Sequence, residues 1–474
     1  MKRTFFRSVA AVSCSVAFAV VAAQAATRPH KGGTLRVLMA AQPRSLDPRT
    51  PPLEPRAQAA AEKLVPLMFD RLVTIDEKGR PQPQLATGWQ HDAAFKRWTF
   101  DIHTGVNFWD STPLTPEIVA AALQSSPGSP PAKASGGSVI IEGQSPNPDL
   151  LRDLAEEQFS IYRVGEDGAI IGTGPFYLTE WQPGKRAVLA ANQRDWRGRP
   201  NLDAIEVEMG VAPREQIVAL ELGKADVIEA GPTDARRVAQ GAHRMWSSLP
   251  DELLAIVFQP GRPAAADARV REALARSIDR AAMHAVLLQK QGELAGGLLP
   301  QWLSGYAFLF STVQDLPHAR EIAAALPPEH RSLTLGYDAN DSLAEAIAQR
   351  IAVNGRDAGI AVQAAEQPPA AGPGAAPASV DARLWRLRIE DSDAGRALVA
   401  LVTGSLVLDW MHPLSPVAPE VLYGEERNLL EGYQIIPLFH LPQIYGLSAR
   451  VKNWNPSPGG EWHLEEIWLE AEKP

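Results

Sequence analysis

The sequence has 474 residues, a formal net charge of −9 and one cysteine. A chain of this length is too long for a single hydrophobic core and long enough for two or three compact units. The acidic balance and the absence of a long basic run argue against nucleic acid or an anionic membrane surface as partners.

The first 25 residues predict a cleavable signal peptide. Lys2, Arg3 and Arg7 precede an uncharged apolar run over residues 9–23, and the small residues of a cleavage site follow at 23–25. The run is shorter than the roughly 18 residues that a membrane-spanning helix needs. A buried N-terminal helix is the alternative interpretation of the same pattern.

The single cysteine, Cys14, lies inside this apolar run and lacks a convincing lipobox. The sequence therefore favours a soluble exported protein over a lipoprotein. The mature chain, beginning near Ala26, contains no cysteine, so packing and not disulfide bonds must stabilise it.

In the first part of the mature chain, alternating apolar residues predict strands over residues 33–40 and 97–102, and a helix is predicted over 55–72. The segment Gly-Thr-Gly-Pro at 172–175 is predicted to be a tight turn that enters a strand, because proline follows where a phosphate-binding helix should begin. Residues 125–137 are predicted to form an exposed loop.

In the second part, apolar spacing predicts an amphipathic helix over residues 267–291 with Asp267 as its N-cap. A strand through Leu335, a helix that opens with a capping box at Ser342, and a short apolar segment at 360–364 together predict a βαβ unit. Residues 366–379 are predicted to be a second loop, and two buried strands are predicted at 435–439 and 444–447.

The mature sequence carries no pattern typical of an enzyme or of a metal site. It has no cysteine and no HExxH, GxSxG or GxxxxGK[ST] motif, and its histidines are dispersed. His440, in an apolar strand, is predicted to be structural, and Glu156 and Glu157 are predicted to form a solvated helix face. Twelve tryptophans suit aromatic walls around a cleft for small organic ligands or peptides.

Several segments, in collinear order, resemble one family. They include the Gly-Val-x-Phe, Asp and Thr-Pro-Leu-Thr stretch within residues 85–119, the Gly-Thr-Gly-Pro strand at 171–183 and the Asn and Trp-x-Gly-x-Pro-x-Leu-Asp-x-Ile stretch at 192–205. The segments at 217–228, 269–280 and 435–454 complete the pattern. The chain resembles family 5 extracellular solute-binding proteins, the oligopeptide, dipeptide and nickel receptors of ABC importers.

The resemblance implies an α/β, two-lobe periplasmic binding protein fold (type II, cluster C-like) with an extra small domain on the first lobe. It implies the following division of the chain: signal peptide 1–25; lobe I from 26–48, 172–252 and 435–474; the extra domain 49–171; and lobe II 253–434.

The function that the resemblance implies is a periplasmic receptor, not an enzyme, that binds peptides or other small organic solutes between its lobes. It would act without a cofactor or a metal, as a monomer, and present its ligand to an ABC permease and ATPase complex in the inner membrane. The mature chain is shorter than typical members around 125–137 and between 366 and 435. An exported scaffold or sensor that keeps the fold with a reduced cleft therefore stays an alternative; an exported hydrolase lacks a nucleophile and base.

In peptide-binding members, an acid after a linker faces the amino group of the ligand. Spacing assigns this role to Glu390, with Asp391 as its neighbour, although Asp409 looks more similar locally. A solvated turn over residues 390–393 is the other interpretation. The remaining predicted ligand-binding residues are Trp385, Trp109, Tyr306 and Gln42.

Overall fold

The computed structural model describes residues 29–50, 55–76, 79–126, 128, 131–166, 168–240, 243–259, 261–262, 266–306, 309–368, 379–389, 391–405, 418–457 and 461–470. The predicted signal peptide, most of the predicted loop at 366–379, Glu390 and Asp409 lie outside these residues.

The described strands extend over the whole chain, and most of them lie in its first half. In chain order they are β1 (Thr34–Met39), β2 (Val73–Ile75), β3 (Pro81–Pro83), β4 (Ala86–His91), β5 (Arg97–Ile102), β6 (Ala132–Ser135), β7 (Ser138–Glu142), β8 (Arg163–Val164), β9 (Ile170–Ile171), β10 (Phe176–Gln182), β11 (Arg186–Ala191), β12 (Ala204–Met209), β13 (Val227–Ala230), β14 (Arg244–Phe258), β15 (Glu293–Leu294), β16 (Ser332–Asp338), β17 (Ala361–Gln367), β18 (Ala382–Arg388), β19 (Ile435–Leu447), β20 (Val451–Lys452) and β21 (Trp468–Leu469).

Helices lie mainly in the second half. They are α1 (Pro55–Leu64), α2 (Pro116–Ser125), α3 (Leu150–Asp153), α4 (Pro213–Glu221), α5 (Ala235–Val238), α6 (Ala268–Ser277), α7 (Arg280–Val286), α8 (Gln301–Ser304), α9 (Leu316–Ala325), α10 (Ser342–Ala358), α11 (Ala394–Val399) and α12 (Pro419–Leu430).

One large mixed sheet contains eleven of the described strands, in the order β10-β11-β12-β1-β13-β19-β14-β18-β16-β17, with β15 paired to β19. The predicted strand at 33–40 is confirmed as β1, which pairs in parallel with β12 and β13. Its apolar residues Leu35, Val37 and Met39 are buried in the core of the first half of the sheet, β10 to β13.

The long antiparallel strands β14 and β19 connect the first half of the sheet to the second half, β18-β16-β17. Two short strands were predicted at 435–439 and 444–447, but one strand covers both. Residues between them continue to pair with β14, including Leu253 with His440 and Pro250 with Pro442. Register shifts on both sides of the proline pair accommodate residues that have no N–H to donate.

The predicted βαβ unit is confirmed as β16, α10 and β17, with the two strands parallel. The capping-box prediction at Ser342 is wrong by one residue. Asp341 caps α10, because its Oδ1 accepts hydrogen bonds from the backbone N–H groups of Leu343 and Ala344 at 3.1 and 3.0 Å. Gly359 ends the helix in the left-handed conformation, with φ 91°.

The single helix predicted over 267–291 is two helices, α6 and α7. Asp267 caps α6 as predicted, and its Oδ1 accepts from the backbone N–H of Arg269 at 3.0 Å. The chain becomes extended at the fully buried Ile278, and Asp279 then caps α7 by accepting from Ala282 at 2.9 Å. Apolar periodicity continues through this break, so the spacing alone did not reveal it.

Two further predictions need correction. The helix predicted over 55–72 ends at Leu64 and continues as a 3₁₀ turn over Val65–Leu67, since Pro66 cannot continue an α-helix. The loop predicted over 125–137 contains strand β6, which pairs with β7 and buries Ala132.

A small antiparallel sheet, β4-β5-β7-β6, packs with α2 around its own core, which includes Trp98, Phe100 and Val139. The predicted strand at 97–102 is confirmed as β5. The small sheet is next to the first half of the large sheet, and two features connect them.

The first connection is the predicted turn at 172–175, which is confirmed: the carbonyl of Gly172 accepts a hydrogen bond from the backbone N–H of Trp109, in the segment after β5, at 3.2 Å. Gly172 lies so close to Met68 that a Cβ would stand 2.2 Å from the carbonyl oxygen, and Gly174 donates to the same oxygen at 3.0 Å. The glycines are therefore required by close backbone approach and not by a phosphate.

The second connection between the two sheets is Asp70, whose side chain is fully buried. It accepts hydrogen bonds from Thr173 (2.8 Å), Gln84 (3.0 Å), Trp196 (3.2 Å) and Arg197 (2.9 Å). These donors come from both sides of the contact, so one carboxylate joins the two sheets.

Candidate functional site

A cavity of about 510 Å³ lies where α1, the 3₁₀ turn Glu157–Phe159 and the end of β18 meet. Residues 45–48 and Glu461 complete its wall. Its carboxylates are Asp47, Glu62, Glu156, Glu157 and Glu461. Its cations are Lys63, Arg71 and Arg388, so acidic groups outnumber basic ones among the described lining residues.

Helix α1 presents Glu62 to the cavity. Gln58, one turn earlier on the same face, donates from Nε2 to Glu62 Oε1 at 3.0 Å and orients the carboxylate. Arg388, the last residue of β18, donates from Nη1 to the other oxygen of Glu62. This ion pair crosses the cavity from α1 to the second half of the large sheet.

Lys63, the next residue of α1, lies over the rings of Tyr445 and Trp462, with Nζ 5.2 and 5.7 Å from the ring centroids. Its Nζ is also 3.6 Å from Glu229 Oε1. Burial opposes the charge, but Tyr445 and Glu229 outweigh it and hold the pKa of Lys63 above its ordinary value. Lys63 is therefore a fixed cation in the cavity wall.

Arg71 lies beside the 3₁₀ turn. Its Nη1 donates to the backbone carbonyl of Ala155 at 2.6 Å, and its Nη2 donates to Glu461 Oε1 at 2.9 Å. Its side chain is only 11% exposed, so the two contacts hold an almost buried guanidinium in place. Arg71 is thus already paired with a carboxylate of the same cavity.

Glu157 differs from the other lining carboxylates. Its Oε1 is buried and accepts no hydrogen bond from any group in the described part of the chain. Burial, with a further contribution from the negative charge of Glu62, raises the pKa of Glu157 to about 8. The cavity therefore contains a carboxylate that the described residues leave without a donor.

Further ion pairs surround the cavity. Asp341 lies 3.2 Å from Arg386 Nη1 and 3.4 Å from Arg56 Nη2, so it links α10, β18 and α1. Burial opposes ionisation of Asp341, but Arg386, the N–H of Ala344 and Arg56 together hold its pKa below the usual value. Arg152 Nη1 is 3.6 Å from Asp391 Oδ1, which connects α3 to the chain after β18.

The predicted aromatic ligand residues lie away from this cavity. The Trp109 ring packs 5.8 Å from Phe69, and its Nε1 donates to the carbonyl of Gly174 at 3.3 Å. Trp385, on β18, packs beside the core around Leu387. The hydroxyl of Tyr306 is buried and donates to Glu426, which together with burial raises the pKa of the phenol.

The predicted polar ligand residues are also elsewhere. Gln42 is exposed beside Gly210. Asp391 accepts from the backbone of Asp393 and from Arg396 Nε, each at 2.8 Å, and these contacts form a turn before α11. Glu390 is outside the described residues, immediately after the cavity-lining Ile389. The five described members of the predicted set thus do not line the cavity.

Other predictions about single residues have clear outcomes. His440 is buried, and its Nε2 is 3.0 Å from the carbonyl oxygen of Leu298, which confirms a structural role. Glu156 is exposed as predicted. The prediction for Glu157 is wrong, because this residue begins a 3₁₀ turn and lines the cavity, and one of its carboxylate oxygens is buried.

The sequence profile of bacterial extracellular solute-binding proteins, family 5, middle region, matches residues 80–395. The chain belongs to this family. The predicted resemblance is thereby confirmed, and the family consists of binding proteins.

The probable D,D-dipeptide-binding periplasmic protein DdpA of Escherichia coli (strain K12) is 25% identical to this family member over 318 residues. The match covers 59% of this chain and 61% of the relative. The chain spans less than two thirds of the length of the curated relatives it matches.

Solved structures confirm the two-lobe α/β fold of periplasmic binding proteins. The oligopeptide-binding protein AppA of Bacillus subtilis, in complex with a nonapeptide, has a TM-score of 0.71 at 17% identity and covers 94% of this chain and 100% of its own. NikA of Staphylococcus aureus, in complex with Ni(L-His)2, has a TM-score of 0.74 at 17% identity and covers 92% and 100%.

Within the described ranges, no three His, Cys, Asp or Glu side chains are grouped so that they could hold a metal ion. No described helix combines the length and apolar character needed to cross a membrane.

Proposed function

We propose that this family 5 protein is a periplasmic solute-binding receptor of an ABC-type importer, exported by the signal peptide of residues 1–25. It binds a peptide or another small organic solute in the cavity and presents it to a membrane permease and ATPase complex. It acts as a monomer and catalyses no reaction. Family membership supports this proposal, as do relatives described as binding a D,D-dipeptide and a nonapeptide.

The cavity is the observation that carries the proposal. Its volume of about 510 Å³ falls within the range of small-molecule sites. In the division we propose, its walls come from lobe I (26–48, 172–252 and 435–474), the extra domain (49–171) and lobe II (253–434). A solute that contacts all three favours the arrangement in which they are together, which is how ligand affinity becomes a shape that a permease can recognise.

Mass spectrometry of ligand retained by gently purified protein tests the proposal directly, because it names the solute. A thermal-shift screen against dipeptides, oligopeptides, amino acids and organic amines provides an independent readout, since a ligand of the folded state raises Tm. The proposal expects a retained solute or at least one screened compound that raises Tm.

Two tryptophan substitutions locate the binding site. Ala59→Trp fills the cavity from α1 without changing its charge, and Ala121→Trp makes the same change on the exposed face of α2. Binding should be lost in the first variant and kept in the second, with both unliganded proteins folded by circular dichroism. If the wild type retains nothing and no compound raises its Tm, the receptor function is refuted and the scaffold or sensor alternative is favoured.

A further inference from the structure

The turn that carries Glu157 is firmly anchored. Phe159 is buried in the core of the small sheet, and Ser160 donates from both its backbone N–H and its hydroxyl to the Glu157 carbonyl, at 3.0 and 2.6 Å. The backbone of Glu157 is thus fixed by apolar burial on one side while its carboxylate lines the cavity on the other. A side chain held in this way is pre-organised for a ligand.

The three cations of the cavity already have carboxylate neighbours. Arg388 pairs with Glu62, Arg71 pairs with Glu461, and Lys63 lies near Glu229, which is outside the lining. None of the three donates a hydrogen bond to the buried Oε1 of Glu157.

The remaining two lining carboxylates also have local donors. Asp47 accepts from Arg49, with Nη2 2.6 Å from Oδ2, and Glu156 accepts from Gln158 Nε2 at 2.6 Å. Glu157 is therefore the lining carboxylate whose buried oxygen has no donor among the described residues. A desolvated carboxylate oxygen without a donor is costly, and either a proton or a cationic donor relieves that cost.

We propose that Glu157 is the anchor for an organic ammonium group, so that the solute enters the cavity as a cation held by the Glu157 carboxylate. The inference rests on the proposed function, because it names the ligand class of the same cavity. It assigns the charge-selective contact to the turn after α3, and not to the chain after β18 where the sequence had suggested it.

Proton exchange follows from this arrangement. Without a ligand, Glu157 keeps a proton at neutral pH, and an ammonium group that binds the carboxylate displaces that proton. Affinity for an amine that stays charged should therefore rise up to about tenfold per pH unit between pH 6 and 8. The charged groups that share the cavity lining with Glu157 are Asp47, Glu62, Lys63, Arg71, Glu156, Arg388 and Glu461.

The test uses isothermal titration of the full mature chain with four probes: dialanine, N-acetyl-dialanine, 1,4-diaminobutane and succinate. We expect dialanine or 1,4-diaminobutane, which carry an ammonium group, to bind. N-acetyl-dialanine, which has none, and the dianion succinate should not bind. Binding of dialanine but not of its acetylated form identifies a peptide amino end as the source of the ammonium. Binding of 1,4-diaminobutane without dialanine identifies a free organic amine.

Glu157→Gln should weaken ammonium binding by about 10- to 100-fold, the loss expected for a charge-assisted hydrogen bond. Glu157→Asp, which keeps the charge but withdraws it by one methylene, should give an intermediate loss. Glu166→Gln, an exposed change elsewhere in the same region, should leave affinity within about twofold. Titration of 1,4-diaminobutane at pH 7 in dilute phosphate buffer, followed with an anionic pH indicator, should report nearly one proton released by the wild type and none by Glu157→Gln.

Three results would overturn the inference: equal binding of succinate and an ammonium probe, an unchanged Kd in a folded Glu157→Gln variant, or no binding of any of the four probes to the wild type. The first two leave the receptor function standing, because a ligand still binds the cavity. After the third, the receptor function depends on whether mass spectrometry finds another retained solute.

Discussion

Removing the carboxylate of Asp70 should weaken the contact between the small sheet and the large one and lower the stability of the protein. Asp70→Ala deletes the hydrogen bonds from four residues at once, and it leaves Arg197 and three neutral donors without their shared acceptor. Breaking a buried ion pair by removing one partner typically costs about 3–5 kcal/mol. Arg197 keeps Asp195 at 3.0 Å, and its side chain is 32% exposed. We therefore expect a loss near the lower end, about 3 kcal/mol.

Urea unfolding followed by tryptophan fluorescence measures this loss, with the first transition analysed if the chain unfolds in more than one step. Glu142→Ala is the matched control. Glu142 also pairs with two cations, Arg97 at 2.8 Å and Lys133 at 3.0 Å, but its side chain is 42% exposed. Exposed pairs contribute about 0–1 kcal/mol. If Asp70→Ala costs no more than Glu142→Ala, Asp70 does not fasten the two sheets.

Two further outcomes are expected. Gly172→Ala should lower the free energy of unfolding by about 1–3 kcal/mol, because its Cβ would meet the Met68 carbonyl. Gly88→Ala, at a position that faces open space, should change it by no more than about 0.5 kcal/mol. Thermal unfolding compares the two variants, and an equal loss of stability in both would contradict the close-approach explanation. Burial lowers the pKa of His440 to about 4, below its unfolded value near 6.5, so the unfolded state binds the extra proton between these values and stability falls as pH drops through that window. His440→Gln should remove this pH dependence, which is worth at most about 3 kcal/mol by pH 4. Urea unfolding of the two proteins from pH 7 to pH 4 measures it, and an identical loss of unfolding free energy in both would contradict the prediction.

Local patterns predicted elements well where one face of a segment is buried. The alternation in β1 and β5, the Asp267 cap of α6 and the Gly359 end of α10 are each visible in a few adjacent residues of the sequence. Predictions failed where a backbone change left the apolar spacing intact. Ile278 stays in the apolar series although it is extended, and residues 440–442 stay paired although Pro442 is among them.

The cavity could not be predicted in the same way, because its charged residues are distant in the sequence. Glu62, Glu157, Arg388 and Glu461 come from four segments that only the folded chain brings together. The sequence instead pointed to aromatic residues beside loops and, by spacing, to Glu390 after β18. Trp109 and Tyr306 are amphipathic side chains whose polar ends found partners within the protein, which is what buried Trp and Tyr usually do.

The charge that such a cavity selects depends on what remains after its own residues have paired. Two of the cavity's cations pair with two of its carboxylates and Lys63 lies near Glu229, so these groups contribute little net charge. One carboxylate oxygen, on Glu157, is buried and without a donor among the described residues. Losing that one group would leave a nearly balanced cavity. The preference of this cavity for a cation can therefore depend on a single side chain of its wall, without any change in the sheets that build it.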